Sequence, residues 1–400
     1  MEALESKSPL RFSRGGQLIV PARRPLFAAG ESGLLPAGGN EPVPVEPPQE
    51  WIYRAARKAG DVHDLKPVVM PSREGLEHER RRVGEVHIVL YLCRVLYRHA
   101  AAVKLRVAFP PNLDHSPPVF SNLIQAEDLA EHLSNPDWAI VDCRFYLADP
   151  SKGEAEYESE HLPGAVYAHL DRDLAARRTG KNGRHPLPSI EVLTDRFSRF
   201  GIDDKVQVVA YDTSQGQMAA RLWWMLRFLG HDAAAVLDGG LQSWKAAELP
   251  LSSGRVTRAP RRFTALPRAS MRIDLETLER ERTERLLVDA RAPERFRGEV
   301  EPYDPVKGRI PGARNHPTVA SLAADGRFLP AEELRARFQS ILEGRPMDSV
   351  VSYCGSGVTA CHNLLAMDVA GLHGARLYAG SWSEWCSDAT RPIEREESKG

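Results

Sequence analysis

The chain from about residue 118 onward repeats itself, which strongly limits the folds open to it. WAIVDCR at 138–144 resembles LLVDAR at 286–291, and HLPGA at 161–165 resembles RIPGA at 309–313. VVAYD at 208–212 matches VVSYC at 350–354, and further Gly and Trp positions follow in the same order at spacings of 141 to 148 residues. Matches at a constant period indicate duplicated structural units. We therefore expect an N-terminal extension over 1–117, one domain over 118–250, a linker over 251–269 and a second domain over 270–392.

Each repeat alternates short apolar runs with helical patterns. The runs lie at 138–142, 206–211 and 234–237 in the first repeat, and at 286–289, 349–353 and 375–378 in the second. Helical patterns such as 189–200 and 331–342 separate them. Strands buried on both faces read as continuous apolar runs, so this alternation predicts two α/β domains, each a parallel sheet with helices on both faces. Ligands of such sheets bind beyond the carboxyl ends of the strands.

The N-terminal extension has a different composition. Residues 31–50, ESGLLPAGGNEPVPVEPPQE, are rich in Pro, Gly and Glu and predict a largely disordered segment. Residues 54–106 contain helical pieces whose basic residues could mark a membrane-surface or targeting helix, but we favour a partly ordered tail without chemistry. A third interpretation makes the extension an artefact of the gene model, with Val119 as the true first codon.

Composition excludes several classes of protein. A formal net charge of −1 gives no reason to expect nucleic-acid binding, and no apolar run is long enough to span a membrane. Five cysteines in 400 residues are too few for a disulfide scaffold and favour a reducing, cytoplasmic location. Since CxxC pairs and clustered histidines are absent from the sequence, we expect neither a metal nor a cofactor.

The most informative stretch surrounds Cys354. An apolar run ends at this cysteine, Gly-Ser-Gly-Val-Thr follows at 355–359, and a helical pattern starts at 360. Glycines let backbone N–H groups converge on the sulfur, and the helix directs its positive end there, so both favour the thiolate. A buried structural cysteine is the common alternative, and it is our interpretation of the other four. The residues predicted to bind substrate through this loop are Gly355, Gly357, Val358 and Thr359.

Together these motifs resemble a known family. The repeat, RFRG at 295–298, CGSGVTA at 354–360 and GSWSEW at 380–385 resemble the two-domain rhodanese superfamily over about residues 119–390. CGSGVTA is similar to the loop of its 3-mercaptopyruvate sulfurtransferases. The resemblance implies that Cys354 takes a sulfane sulfur from a small-molecule donor as a persulfide. It then passes the sulfur to cyanide or to a thiol, either thioredoxin-like or of low molecular weight. Asp212 stands where the first repeat would have the nucleophile, which implies an inactive first domain.

The resemblance also implies how the donor is held. Arg295 matches the family arginine that binds the substrate anion, and a planar guanidinium fits a carboxylate bidentately. Family members have a second arginine nine residues later, where this chain has Asp304. Lys307, Arg309 and Arg314 remain open as its replacement.

A proton relay and a preference for donor follow from the same resemblance. The relay would consist of Ser356, His185 and Asp171, because release of pyruvate enolate requires a proton that a histidine can carry. Thiosulfate:cyanide sulfurtransferases have Arg and Lys directly after the cysteine, whereas Gly355 and Ser356 are neutral. We therefore expect mercaptopyruvate as donor, with thiosulfate as the alternative.

Two other classes of protein share part of this pattern. Tyrosine and dual-specificity phosphatases also cradle a cysteine, but they require Cys-x5-Arg and this chain has Ala360 at that position. A sulfur-carrier or binding module without turnover stays open, and release of pyruvate or sulfide would distinguish it from an enzyme.

Overall fold

The computed structural model describes residues 119–396 and two short strands nearer the N-terminus. These strands, β1 (Arg11–Phe12) and β2 (Leu18–Ile19), pair antiparallel with Arg11 opposite Ile19. The predictions of disorder over 31–50 and of helices over 54–106 fall outside the described residues. Residues 112–400 form a separate compact unit, and the description that follows concerns that unit.

The first repeat folds into a five-stranded parallel sheet with the strand order β3-β7-β6-β4-β5. Its strands are β3 (Leu123–Ile124), β4 (Trp138–Asp142), β5 (Val166–Tyr167), β6 (Gln207–Tyr211) and β7 (Ala234–Leu237). Its helices are α1 (Ala126–Ala130), α2 (Lys152–Ser159), α3 (Leu170–Asp173), α4 (Ile190–Arg199), α5 (Ala219–Phe228) and α6 (Gly240–Ala246). The pattern predicted over 189–200 becomes α4, because the hydroxyl of Ser189 caps the helix by accepting the N–H of Val192.

The second repeat forms a matching parallel sheet with the order β10-β9-β11-β12-β8. Its strands are β8 (Arg272–Ile273), β9 (Leu286–Asp289), β10 (Arg314–Asn315), β11 (Val350–Tyr353) and β12 (Arg376–Tyr378). Its helices are α7 (Leu275–Glu281), α8 (Pro293–Arg297), α9 (Ala331–Leu342), α10 (Ala360–Val369) and α11 (Ser381–Trp385), with short 3-10 turns at Ala269–Met271, Thr318–Ser321 and Met347–Ser349. The prediction of two α/β domains with parallel sheets is confirmed.

The repeated VDxR motif has the same structural role in both sheets. Asp142 ends β4 and Asp289 ends β9, and each carboxylate binds the arginine two residues later. The closest contacts are 2.6 Å for Arg144 and 2.7 Å for Arg291, and both pairs are buried. Breaking a buried pair on one side leaves an uncompensated charge, at a cost of about 3–5 kcal/mol. The motif therefore persists in both copies because it joins the strand end to the next loop.

Helices α5 and α10 pack against each other between the two sheets. Every residue of α10 from Ala360 to Met367 is buried, as are most of α5, including Trp224. One apolar core therefore continues from the first sheet to the second, while each outer face has its own cluster, around Trp244 and around Trp382. This arrangement puts the carboxyl end of β11, the central strand of its sheet, at the junction of the two domains.

No helix in the described part of the chain has both the length and the apolar character needed to cross a bilayer.

Candidate active site

Cys354 follows β11 directly and lies at the start of a tight loop. Its side chain is 2% exposed, and the N–H of Gly357 donates to Sγ at 3.1 Å. Within the described residues, the N–H groups of Ser356, Thr359 and Ala360 have no hydrogen-bond acceptor. Helix α10 begins at Ala360, so its positive end adjoins the same loop. The sulfur thus lies in a loop whose remaining N–H groups can still donate hydrogen bonds.

Close backbone packing keeps this loop in shape. Gly357 has φ +75°, and a Cβ there would lie 2.2 Å from the carbonyl oxygen of Ala379, so glycine is required. From the same segment, the Ser381 hydroxyl accepts the N–H of Cys354 at 3.1 Å. The N–H of Trp382 donates to the carbonyl of Cys354 at 3.0 Å. The GSWSEW segment therefore fixes the backbone of Cys354 through these two hydrogen bonds.

The first domain contains the same type of loop with a carboxylate in place of the sulfur. Asp212, the residue after β6, accepts four backbone N–H groups of its loop. The donors are Ser214, Gly216, Met218 and Ala219, at 2.7–2.9 Å. A backbone curl of this kind is an anion-binding nest. The first domain fills its nest with its own side chain, and the second domain has Cys354 at that position.

The other described cysteines are held as thiols. Burial raises the pKa of Cys361 and of Cys386 to about 12, and raises the pKa of Cys143 well above its ordinary value. Cys361 donates its S–H to the carbonyl of Gly357 at 3.4 Å. Cys93 lies outside the described residues.

Ser356, His185 and Asp171 form a chain of contacts beside the Cys354 loop. Nδ1 of His185 is 2.7 Å from the Ser356 hydroxyl, and its Nε2 is 3.4 Å from a carboxylate oxygen of Asp171. Burial lowers the pKa of His185, with Asp171 opposing the shift. The hydrogen bond from His185 lowers the pKa of Asp171. The lowered pKa favours the neutral imidazole at pH 7. Arg178 lies 3.2 Å from the carboxylate of Asp171 and 3.5 Å from Nε2 of His185.

A buried arginine joins the loop to this chain of residues. Arg221 of α5 donates to the carbonyl of Gly357 at 2.8 Å and to the carbonyl of His185 at 3.1 Å. It is fully buried, and no carboxylate of the described residues pairs with it. Burial lowers its pKa, whereas the sulfurs of Cys361 and Cys354 raise it. Our sequence interpretation missed Arg221, although an arginine inside the apolar segment AARLWWMLRF was a usable signal.

Two arginines approach the loop at Gly355. A Cβ on this glycine would lie 2.7 Å from Nη2 of Arg184 and 3.1 Å from Nη2 of Arg295. Arg295, the arginine named from the sequence, comes from α8, whereas Arg184 comes from the first domain, directly before His185. Because Gly355 has no side chain, the guanidinium groups of Arg184 and Arg295 can lie against the loop next to Cys354.

The second arginine is not one of the three candidates named from the sequence. Lys307 donates to the carbonyl of Glu299 at 2.8 Å, Arg314 pairs with Glu343 at 2.6 Å, and Arg309 pairs with Glu394. In the structure each of these side chains has another partner, and none of them is among the groups nearest to Gly355. Arg184 was missed because its contact is made across the domain junction.

Acidic side chains hold both arginines. Asp304 is 2.5 Å from Nη1 of Arg184 and 3.8 Å from Nη2 of Arg295. Glu301 pairs with Arg295 at 2.7 Å and with Arg291 at 3.2 Å. Both carboxylates are almost fully buried, at 3% and 1% exposure. The mouth of the site is therefore rich in charge but nearly neutral overall.

Two predicted loop residues contribute mainly through the backbone. The side chain of Val358 is 4% exposed and belongs to the core between the sheets. Thr359 precedes α10 and makes no side-chain cap bond. The loop thus offers N–H groups and the Ser356 hydroxyl to a ligand.

Comparison with known proteins identifies the family of the two repeats. The rhodanese-like domain family matches residues 125–247 and 274–388. A Pseudomonas aeruginosa protein named "Probable 3-mercaptopyruvate sulfurtransferase" is 50% identical over 277 residues, covering 68% of this chain and 98% of its own. A Mycobacterium tuberculosis relative with thiosulfate in its name is 41% identical over 280 residues, covering 68% and 96%.

A solved structure is also similar. The 3-mercaptopyruvate sulfurtransferase from Leishmania major is 33% identical, with a TM-score of 0.61, covering 68% of this chain and 76% of its own. The matched ranges contain Cys354, the Ser356–His185–Asp171 chain and both arginines. The chain therefore belongs to the rhodanese family and carries two rhodanese-like domains in tandem.

Proposed function

We propose that the protein is a 3-mercaptopyruvate sulfurtransferase that forms its persulfide on Cys354. Family membership supports sulfur transfer between small-molecule donors and acceptors. The observation that carries the choice of donor is the contact chain from Ser356 through His185 to Asp171 beside the nucleophile. Mercaptopyruvate needs a proton at its leaving group and thiosulfate does not, so a buried relay is useful for the first donor only.

The first half-reaction is attack by the Cys354 thiolate on the thiol sulfur of mercaptopyruvate. The S–S bond forms as the substrate C–S bond breaks, and its electron pair leaves as pyruvate enolate. The proton from the substrate S–H then moves to the enolate, which gives pyruvate and leaves the persulfide anionic. Ser356 and His185 carry this proton, and Asp171 orients the imidazole. Atoms and charge balance without a cofactor or an external oxidant.

The loop and Arg221 stabilise the negative sulfur before and after transfer. The thiolate accepts the N–H of Gly357, and the terminal sulfur of the persulfide takes the further N–H groups of the loop. Asp212 supports this assignment, because its carboxylate accepts four N–H groups of the equivalent loop. Arg221 adds a positive charge on the buried side of the loop.

The donor carboxylate binds Arg295 and Arg184 next to Gly355. Both guanidinium groups lie close to where a Cβ of residue 355 would be, so a donor bound to them lies close to the Cys354 loop. In the second half-reaction cyanide, or the sulfur of a thiol, attacks the outer sulfur of the persulfide and restores the Cys354 thiolate. We propose a thioredoxin-like or low-molecular-weight thiol as acceptor, a cytoplasmic location, and neither nucleic acid nor membrane as partner.

We also propose a division of labour between the domains. Residues 118–250 form a non-catalytic domain that supplies Asp171, Arg184, His185 and Arg221, residues 251–269 link it to the next, and residues 270–392 form the catalytic domain. The site is complete only where both domains meet, since the contact between Ser356 and His185 joins them.

Steady-state kinetics test the proposal. We expect pyruvate release from mercaptopyruvate with cyanide or dithiothreitol as acceptor, and none from Cys354→Ser. The matched control is Cys361→Ser, the neighbouring buried thiol, which should retain turnover. Turnover by Cys354→Ser would exclude the mechanism. A kcat/KM for thiosulfate above that for mercaptopyruvate would make thiosulfate the donor, and persulfide formation without turnover would make the protein a sulfur carrier.

A further inference from the structure

We propose that Asp304 selects the donor by charge: by neutralising Arg184 and Arg295, it admits singly charged anions and disfavours doubly charged ones. The inference builds on the proposed function, since it names the feature that separates mercaptopyruvate from thiosulfate at this site. It assigns a role to a residue that stands where the family has a substrate-binding arginine.

The geometry gives Asp304 access to both cations that face the loop. Its Oδ2 lies 2.5 Å from Arg184 and 3.8 Å from Arg295, and its side chain is 3% exposed. The contact with Arg184 is an ion pair without hydrogen-bond alignment, and no other group of the described residues hydrogen-bonds this oxygen. The carboxylate therefore acts as a charge lying between the guanidiniums, and they keep N–H groups free for a ligand.

The charges around this point cancel. Three guanidiniums, from Arg184, Arg291 and Arg295, meet three carboxylates. These carboxylates belong to Asp289, Glu301 and Asp304. Because these pairs are removed from water, salt screens them little. A singly charged carboxylate can hydrogen-bond the guanidinium groups at modest electrostatic cost. A dianion brings a second negative charge into a site whose charges already cancel.

The size of the effect follows from Coulomb's law. The repulsion between Asp304 and a bound anion is proportional to the anion's charge, so a dianion feels about twice the repulsion of a monoanion. If removing the carboxylate strengthens monoanion binding about tenfold, it strengthens dianion binding about a hundredfold. The ratio of the two affinities therefore shifts about tenfold in favour of the dianion.

Asp304→Asn tests this in the full chain, because it removes the charge and keeps the shape. The matched control is Glu299→Gln, an exposed acid on the same segment that pairs with Arg297 and changes the net charge equally. Calorimetry with pyruvate and with sulfate measures affinity, and kcat/KM for mercaptopyruvate and thiosulfate measures turnover. We expect both ratios to move about tenfold towards the dianion in Asp304→Asn and to stay constant in Glu299→Gln. Unchanged ratios in Asp304→Asn, or equal shifts in both variants, would overturn the proposal.

Two further measurements remain decisive if Asp304→Asn does not fold. Asp304→Glu keeps the charge and should keep the wild-type ratios; a shift towards the dianion would contradict charge selection. The wild-type protein itself should bind pyruvate more tightly than sulfate, and the reverse order would also overturn it. These binding measurements need no turnover, so their failure is distinguishable from failure of the proposed function, which is tested by turnover of mercaptopyruvate.

Discussion

Replacing His185 by glutamine should damage one half-reaction selectively. His185 is 1% exposed and lies between the Ser356 hydroxyl, at 2.7 Å, and Asp171, at 3.4 Å. Glutamine still fills much of the space and can form a hydrogen bond, but it cannot transfer a proton. Mercaptopyruvate requires that proton for its enolate, whereas sulfite leaves thiosulfate as an anion without one.

The magnitude has two parts. If glutamine leaves the buried Ser356 hydroxyl without a partner, the cost is at most about 1–3 kcal/mol and affects every donor, which lowers both rates by no more than about five- to 150-fold. Loss of general acid–base catalysis costs a further factor of about 100 to 10,000 and affects mercaptopyruvate only. The ratio of kcat/KM for mercaptopyruvate to that for thiosulfate should therefore fall by about 100-fold or more.

The assay follows pyruvate from mercaptopyruvate and thiocyanate from thiosulfate, both with cyanide as acceptor. His373→Gln is the control, because this histidine is 67% exposed and lies away from the loop. Asp171→Asn should lower the same ratio less, since its carboxylate is 35% exposed and only orients the imidazole. An equal fall for both donors in His185→Gln would reduce His185 to a structural role and refute the relay.

Further predictions concern the arginine, the loop and stability. Arg295→Lys keeps the charge but loses the planar fork, so KM for mercaptopyruvate should rise about tenfold with kcat within about twofold; an unchanged KM would remove Arg295 from the site. Gly357→Ala introduces a Cβ 2.2 Å from the Ala379 oxygen at φ +75°, so persulfide formation should be lost in a single-turnover assay, and retained formation would refute the loop geometry. Burial lowers the pKa of His316 and of His362 from 6.5 to about 4. As the pH falls below 6.5, these two histidines are therefore protonated in the unfolded chain but stay neutral in the folded one. The free energy of unfolding should then decrease by about 2 kcal/mol per histidine between pH 7 and pH 5. Urea unfolding at the two pH values measures this, and equal stability would contradict it.

Features encoded by neighbouring residues could be predicted from the sequence. Val350–Tyr353 is apolar except for the buried Ser352, because β11 is buried on both faces, and the glycine loop and α10 follow it without interruption. The spacing of the repeat then located the equivalent strand and loop of the first domain, where Asp212 takes the position that Cys354 has in the second. Both domains and the nucleophile loop could therefore be predicted from local patterns.

Features made by contact across the chain could not be predicted in that way. Arg221 reaches Gly357 over 136 positions, and the partner that Asp304 finds in Arg184 belongs to the other domain. His185 and Ser356, 171 positions apart, were paired only through the resemblance to a family. No periodicity or spacing encodes such pairs, because packing of α5 against α10 brings them together.

Cys354 is proposed to carry the transferred sulfur. The most direct test of this role is the mass of the full chain after reaction with mercaptopyruvate in the absence of an acceptor, followed by digestion to locate the added mass. We expect a gain of one sulfur atom on the peptide that contains Cys354, reversed by cyanide and absent from Cys354→Ser. An unmodified Cys354 peptide after pyruvate has been released, or the added sulfur on Cys361, would contradict the account.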